Sequence, residues 1–359
     1  MRTLLALLFV LPFGCTPTPA EPGPGTAAAP TGADPAPSAL TPIRIGWQTT
    51  WATQGQLVAV LLHTDILEQN GFVGEFKGFP YGGPLNEGAL AGEVDVLFTA
   101  DQPALSLAAK APSWGIVGRL MYNRVGTLVP PDSAVQTTKD LAGKRLAVPF
   151  GAAAQREAMR AIEGAGLNPN TDVKVVNLGL EEILGVVRAG ATGGRWGELD
   201  AVAVWDPTFA ELEIGAELEA DTRLRTIASS VVTSVIVMND PFVTAHPGAD
   251  QRFLTAMAMA YDVYRADPAR ADEWFETKTK RTYSAGVLTT AASVEPNLQA
   301  QAAIRMHLNE ADVASLTGAG AFMEKAGLLK APLAVTGVIR PSATQAPPLG
   351  DSAAVAIRP

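Results

Sequence analysis

The chain has 359 residues and a formal net charge of −9, from 27 basic and 36 acidic residues. This length is sufficient for two lobes of ordinary domain size. The acidic balance argues against nucleic acid as a partner and against binding to anionic lipid by charge. It leaves an anionic small ligand open, because local dipoles govern the potential inside a cleft.

The first fifteen residues have the pattern of an export signal. Arg2 precedes an apolar run at 4–13, which is too short to span a bilayer, and the only cysteine of the sequence follows at Cys15. This arrangement resembles the lipobox of bacterial lipoproteins. We therefore predict that 1–15 is a signal peptide and that Cys15 is lipidated, with an exported but unlipidated protein as the alternative. A single cysteine also excludes a disulfide within the chain.

Two segments have a composition that cannot build a core. Residues 16–42 are dominated by proline, alanine, glycine and threonine, which predicts a tether between the lipid and a globular body. Residues 334–359 are again rich in proline and alanine and are predicted to form a loose tail.

Between these segments, strand patterns alternate with helical patterns. The predicted strands are 43–46, 72–79, 92–98, 116–121, 127–129, 146–150, 173–176, 201–204 and 227–238. The predicted helices include 54–68, 85–91, 180–188, 208–215, 249–265, 268–278, 296–306 and 309–326. This alternation predicts an α/β fold with a mostly parallel sheet.

The stretch 143–167 combines a strand, a glycine turn and a helix. The backbone N–H groups of 151–154 open that helix, and together with the helix dipole they favour an anionic or strongly polar ligand group. It is not a phosphate loop, because no Gly-Lys-Ser/Thr follows. An ordinary connection between a strand and a helix is the alternative.

Polar and aromatic residues follow three of the predicted strands. They are found at 47–50, at Tyr81 and at 99–102. In open α/β sheets, ligands bind at the carboxyl ends of strands, so these positions are candidate ligand contacts. Thr233 and Ser234 interrupt an apolar strand and are candidate donors. Arg119 and Arg124 are interpreted as solvated or hinge-side charges.

Catalytic and metal sites are not indicated. His63, His246 and His307 are far apart in sequence, with no cysteine or acid at metal-ligand spacing. Adjacent Glu181 and Glu182 face different ways on a helix and form no acid–base pair. No nucleophile-elbow motif is present.

Six segments in order carry a resemblance to a known family. They are IRIGW, GEVDVLFTADQPA, DLAGKRLAVPFG with AAQREAMRAIEGAGL, LDAVAVWDPTFAELE, MNDPFVTAHPGADQRFLTAMAMAYDVYRADPARADEWF, and FMEKAGLL. Over residues 43–333 the chain resembles the periplasmic solute-binding proteins of ABC importers. The branch is the nitrate, sulfonate and taurine type, which is related to thiamine-pyrimidine binders.

The resemblance implies a two-lobed α/β fold of the periplasmic-binding-protein type (type II), with a central cleft and two hinge crossovers. Lobe one would comprise 43–125 and 236–333, and lobe two 126–235. It also implies a monomer without a cofactor that captures a small polar organic solute and delivers it to an ABC permease and its ATPase. The protein would lie at the periplasmic or cell-surface side of a membrane, held by its lipid alone.

Matching positions suggest the ligand contacts, each with a structural alternative. Gln155 stands where sulfonate-type members often have histidine, and Trp205-Asp206 match a Trp-Asp-Pro motif. Asp206 and Asp101 are candidates to bind an amine, or else to cap helices, and Trp205 to stack on a ligand or else to pack in the core. The candidate ligand residues are Trp47, Gln48, Thr49, Tyr81, Asp101, Gln102, Phe150, Gly151, Ala152, Gln155, Trp205, Asp206, Thr233 and Ser234.

Two other functions remain open on the same fold. One is an enzyme of the pyrimidine-synthase or menaquinone-pathway type, and the other is a sensor lipoprotein without a permease. The predicted lipid anchor and the scarcity of histidine favour solute binding over the enzyme.

Overall fold

The computed structural model describes residues 39–191, 196–215, 223–347 and 354–358, so the predicted signal peptide, Cys15 and most of the predicted tether lie outside the described residues. The strands are β1 Thr41–Gln48, β2 Phe72–Phe79, β3 Val96–Ala100, β4 Trp114–Val129, β5 Arg145–Val148, β6 Lys174–Asn177, β7 Ala201–Trp205 and β8 Arg225–Asn239. The helices are α1 Gln54–His63, α2 Ile66–Gln69, α3 Gly82–Leu90, α4 Asp101–Lys110, α5 Ala153–Gly164, α6 Leu180–Ala191, α7 Thr208–Ile214, α8 Asp240–Ala245, α9 Ala249–Ala266, α10 Pro268–Thr279, α11 Val287–Ala292, α12 Glu310–Lys325 and α13 Val335–Val338. Single 3-10 turns lie at Thr138–Leu141, Pro296–Leu298 and Pro341–Thr344.

The described strands form one sheet in the order β2-β1-β3-β8-β4-β7-β5-β6. At one end β1 pairs in parallel with β2 and β3, and at the other end β5 pairs in parallel with β6 and β7. In the centre, β8 and β4 are antiparallel to each other and to their outer neighbours. The prediction of a mostly parallel sheet is therefore wrong, because two long central strands run antiparallel between the parallel ends.

The long strand β4 also corrects a prediction of two short strands at 116–121 and 127–129. The intervening residues stay extended because β8 pairs with them, for example Tyr122 with Thr233 and Val125 with Ser230. Within this strand Gly126 has a packing role, since a Cβ there would lie 2.3 Å from the Phe209 ring. Helix α7, which carries Phe209, can therefore approach the strand closely.

Alternating side chains give the sheet two buried faces. Phe98 points to the face covered by α9, where its ring lies 6.0 Å from that of Phe253. Its neighbour Leu97 belongs to the other face, in a cluster with Leu316 of α12. Apolar strands with both faces covered explain why the strand pattern is nearly continuous rather than alternating.

One predicted helix, 296–306, is wrong beyond its first turn, the 3-10 turn Pro296–Leu298. The Asn297 side chain accepts from Arg305 N at 2.9 Å and donates to Arg305 O at 3.2 Å. These side-chain bonds to the backbone replace the bonds that a helix would make.

The predicted loose tail is also wrong for its described part. Helix α13 buries Val335 and Val338, and Arg340 N donates to Ile116 O at 2.8 Å. Near the end, Arg358 N donates to His63 O at 2.7 Å. Scattered valine, leucine and isoleucine residues are enough to hold this segment on the body despite its proline-rich composition.

Candidate functional site

The register of the central strands places the ends of the parallel strands opposite one another. Ala100, the last residue of β3, pairs with Ser234, which also pairs with Met121 of β4. Trp205, the last residue of β7, pairs with Val125, four residues further along the same strand. The carboxyl ends of β3 and β7 therefore face each other across residues 122–124, and we call this region the cleft.

The two sides of the cleft are in contact. The Trp205 indole Nε1 donates to Thr50 O at 3.2 Å, and its ring centroid lies 6.5 Å from that of Tyr81. The Gln102 amide Nε2 donates to Gln155 Oε1 at 3.1 Å. Four of the candidate ligand residues thus meet each other directly across the cleft.

The helix start that the sequence indicated as an anion site is satisfied from within the protein. Gly151 has φ +82° and its N–H donates to Gln155 Oε1 at 2.9 Å. Buried Ala152 precedes α5, whereas Phe150 is 41% exposed. The same Gln155 oxygen accepts from Gln102. A ligand anion at this position would have to displace the Gln155 side chain.

Asp101 is fully buried and pairs with an arginine from the other side of the cleft. Its Oδ2 accepts from Arg156 Nη2, and its Oδ1 accepts from Gln102 N at 2.7 Å. Burial raises the pKa of Asp101, although Arg156 opposes this effect. The carboxylate is already neutralised, so a ligand amine would compete with Arg156.

Asp206 is in the same situation. Arg124 donates to it from Nε at 2.8 Å and from Nη2 at 3.0 Å, and Ala210 N donates to Oδ1 at 3.1 Å. Burial raises the pKa of Asp206, and the bonds from Arg124 oppose the rise. The bond from Ala210 N is the contact expected if Asp206 caps the start of α7, which is the structural alternative to binding an amine.

Arg119 and Arg124 are not solvated charges, and their other interpretation, as hinge-side charges, stays a prediction for these two residues of β4. Arg124 binds Asp206 and Glu213, and Arg119 is buried and forms a two-bond ion pair with Glu295 at 2.7 and 2.8 Å. Burial is tolerable because each guanidinium meets a carboxylate with matching geometry.

Several buried polar atoms around the cleft have no hydrogen-bond partner in the described residues. We call five of them the unpaired set: Trp51 Nε1, Gln54 Nε2, Asn123 Oδ1, Thr208 Oγ1 and Ser234 Oγ. An unpaired buried polar group costs about 1–3 kcal/mol. Native proteins rarely retain several such groups in one region without water or a ligand.

The unpaired set belongs to elements that meet at the cleft. Trp51 and Gln54 follow β1 at the start of α1, and Thr208 begins α7 directly after β7. Ser234 is opposite Met121 in the register, and Asn123 is two residues beyond Met121, so both side chains point to the same face. Four members of the set can donate, and Asn123 Oδ1 can only accept.

The remaining candidates are placed less favourably. Gln48 Nε2 donates to Phe98 O at 3.1 Å, and Thr49 N donates to Phe79 O at 2.9 Å. The Trp47 nitrogen lies against Gly78 of β2. Thr233 is adjacent to Ser234 in β8, so its side chain lies on the opposite face of the sheet. It pairs with Tyr122, whose hydroxyl donates to Asp312 at 2.6 Å on the α12 side.

Sequence reasoning considered Trp51 for stacking on a ligand, but it did not select Gln54, Asn123 or Thr208 as ligand contacts. Asn123 lies between the predicted strands 116–121 and 127–129 and beside Arg124, so it lacked the signal that marked Ser234. Gln54 and Thr208 had no such signal, since polar residues are common at helix starts.

The described residues contain no group of three or more His, Cys, Asp or Glu that could hold a metal ion. Within the same residues, the helices are too short or too polar to cross a membrane.

Comparison with known proteins fits this architecture. Residues 89–271, about half of the chain, match the family described as NMT1/THI5 like. The chain belongs to the NMT1/THI5-like family. The taurine-binding periplasmic protein of Escherichia coli (strain K12) is 23% identical over 212 residues, which cover 58% of this chain and 62% of that relative.

Solved structures show that this NMT1/THI5-like protein has a periplasmic-binding-protein fold. The alkanesulfonate-binding protein SsuA from Xanthomonas axonopodis pv. citri, bound to MOPS, superimposes with a TM-score of 0.67 and 21% identity, over 84% of this chain and 99% of that chain. The desulfurization enzyme DSZB superimposes with a TM-score of 0.56 and 18% identity, over 83% of this chain and 96% of that chain. At these identities the likeness establishes the fold alone, and the fold serves both binding proteins and an enzyme.

Proposed function

We propose that this NMT1/THI5-like protein is the extracytoplasmic solute-binding lipoprotein of an ABC importer, and that it captures a small polar organic solute by closing two lobes. Lobe one would comprise residues 43–125 and 236–333, and lobe two residues 126–235. The three parallel strands at each end of the sheet support this division. The long strands β4 and β8, which run between the two ends, are the candidate crossovers.

The unpaired set is the observation that carries the proposal. These atoms lie where the strand ends converge, and a bound solute would supply the partners that they lack. Closure around the solute would then remove it from water, as expected for a trap that a permease recognises.

The chemistry of the unpaired set favours a solute with an oxyanion. Trp51 Nε1 and Gln54 Nε2 are donors at the start of α1, where the helix dipole also favours negative charge. Asp101 and Asp206, the acids expected to bind an amine, are each paired with an arginine. A sulfonate-type head group fits the donors, and an amine on the same solute would fit Asn123 Oδ1. Taurine, for which the E. coli relative is named, has both groups.

A thermal-shift panel on refolded, ligand-stripped protein tests the binding role. We expect taurine and short alkanesulfonates to raise the melting temperature by roughly 4 °C at a hundred times the dissociation constant. Simple amines, which lack an oxyanion, should cause little change. Absence of a shift from any oxyanion would contradict the proposal.

The likeness to DSZB makes an enzyme the second candidate. Incubation of each stabilising compound with the protein, followed by NMR, separates the two candidates. Recovery of the unchanged compound supports binding, and its conversion supports the enzyme.

Lipidation of Cys15 would keep the body at the membrane surface. This part of the proposal rests on the sequence pattern at residues 2–15. Cys15→Ser should move the protein from the membrane fraction to the soluble fraction, and an unchanged distribution would exclude a lipid anchor at Cys15.

A further inference from the structure

A second cavity lies away from the cleft, among α9, α10, α11 and the 3-10 turn Pro296–Leu298. Its volume is about 230 Å³. At about 30 Å³ per water molecule, this is space for about seven waters or one small organic molecule. The wall residues are Tyr264, Arg265, Pro268, Asp272, Leu288, Thr289, Ala292, Ser293, Glu295, Leu298 and Gln299.

Two polar groups in the wall are incompletely bonded. Tyr264 is 2% exposed, and its hydroxyl forms no hydrogen bond with any residue that the structure describes. Asp272 Oδ1 accepts from Gln56 Nε2 at 2.9 Å, while Oδ2 has no partner among the described residues. Both groups line the same cavity.

Asp272 forms no ion pair with a described residue. The other acid in the wall, Glu295, is saturated, because Arg119, Tyr122 N and Asn297 N donate to its two oxygens. The wall cation Arg265 binds Asp262 and the carbonyl oxygen of Ala302. The potential in the cavity is therefore negative and comes mainly from one carboxylate.

Part of the remaining wall is apolar. Leu288, Leu298 and Pro268 face the cavity together with the methyl group of Ala292, while Thr289, Ser293 and Gln299 add neutral polar side chains. A divalent metal ion needs about six oxygen ligands, and one available carboxylate with a few neutral side chains does not supply them. An ammonium group with a short hydrocarbon chain matches both parts of the wall.

We propose that this cavity is a binding site for a small organic monoamine cation, whose ammonium group binds Asp272 and Tyr264 and whose hydrocarbon part packs against Leu288 and Leu298. The site is separate from the cleft and does not depend on the solute-binding role. The Gln56 side chain links it to the start of α1, because Gln56 Oε1 accepts from Thr53 N at 2.6 Å.

Calorimetric titration with three probes of matched size tests the proposal on the purified full chain. The probes are n-butylammonium, n-butanol and butyrate. We expect n-butylammonium to bind at millimolar concentration, n-butanol to bind about tenfold more weakly, and butyrate, whose carboxylate suits the cleft instead, not to displace n-butylammonium. Equal binding of the alcohol and the ammonium, or no binding of the ammonium, would overturn the proposal.

Variants assign the binding to this cavity. Asp272→Asn keeps an oxygen for Gln56 but removes the charge, and should weaken n-butylammonium binding by about tenfold or more. Tyr264→Phe keeps the ring and should weaken it by roughly threefold. Glu273→Gln is the matched control, because it removes an exposed charge beside Asp272 and should leave binding unchanged. Unchanged binding in Asp272→Asn, or an equal loss in Glu273→Gln, would place the ammonium elsewhere and overturn the assignment.

Discussion

At the residue scale, Ser234 combines burial with an unfilled hydrogen-bonding capacity. It is fully buried in β8, beside the end of β3, and its hydroxyl has no partner in the described residues. In a protein without ligand such a group is a cost, whereas in the complex it becomes a contact. Removal of the Ser234 hydroxyl should therefore weaken ligand binding and raise the stability of the ligand-free protein.

Ser234→Ala should raise the free energy of unfolding of the stripped protein by about 1 kcal/mol and weaken oxyanion binding by about fivefold. Urea unfolding and calorimetry measure the two effects. Ser342→Ala is the matched control. Ser342 is also buried with an unpaired hydroxyl, but it lies in the 3-10 turn Pro341–Thr344 and should change stability only.

Asp101 gives a pH-dependent test of the cross-cleft ion pair. Burial raises its pKa in the folded protein above the ordinary value of 3.8, so the folded state binds this proton more tightly than the unfolded chain. Its contribution to stability is therefore fully present at low pH and is lost as the pH rises above 3.8 toward the folded-state pKa.

The stability advantage of the wild type over Asp101→Asn should accordingly shrink as the pH rises above 3.8. The stability difference between the wild type and Asp140→Asn should have the opposite pH dependence. Bonds from the backbone N–H groups of Thr137 and Gln136 lower its pKa, so its contribution is lost as the pH falls. Denaturant titrations of Asp101→Asn above pH 3.8 and of Asp140→Asn below pH 3.8 would contradict the account if both differences moved in the same direction as the pH rises.

At the element scale, the start of α5 shows what a sequence pattern can and cannot specify. The strand, the glycine turn and the helix were predicted correctly, because glycine and the apolar periodicity are local signals. That Gln155 would fill the helix start was not predictable. Its oxygen is held by Gln102, 53 residues away in sequence, and only the tertiary fold brings the two together.

The turn itself can be tested at Gly151. Its φ of +82° is unfavourable for any side chain, so Gly151→Ala should destabilise the protein by about 1 kcal/mol. Gly185→Ala is the matched control, because Gly185 lies inside α6 with open space around a new Cβ. It should stabilise the protein by about 0.5–1 kcal/mol. Equal effects of the two substitutions in thermal unfolding would contradict the assigned backbone conformation.

At the scale of the whole molecule, the alternation of strands and helices was sufficient to predict the α/β class and the resemblance to predict the binding-protein fold. The strand order was beyond both arguments. It depends on β4 and β8, whose pairing joins residues about a hundred positions apart. The same long-range pairing creates the cleft, so local patterns could not bring Asn123 and Ser234 together.

The most direct test of the solute-binding account is a calorimetric titration of stripped protein with ethanesulfonate and with ethylammonium. The donors of the unpaired set and the paired state of Asp101 and Asp206 predict that ethanesulfonate binds at least about tenfold more tightly. Gln54→Leu, which removes one donor, should reduce this preference. Tighter binding of ethylammonium, undiminished in both Gln54→Leu and Asp272→Asn, would contradict an oxyanion site in the cleft.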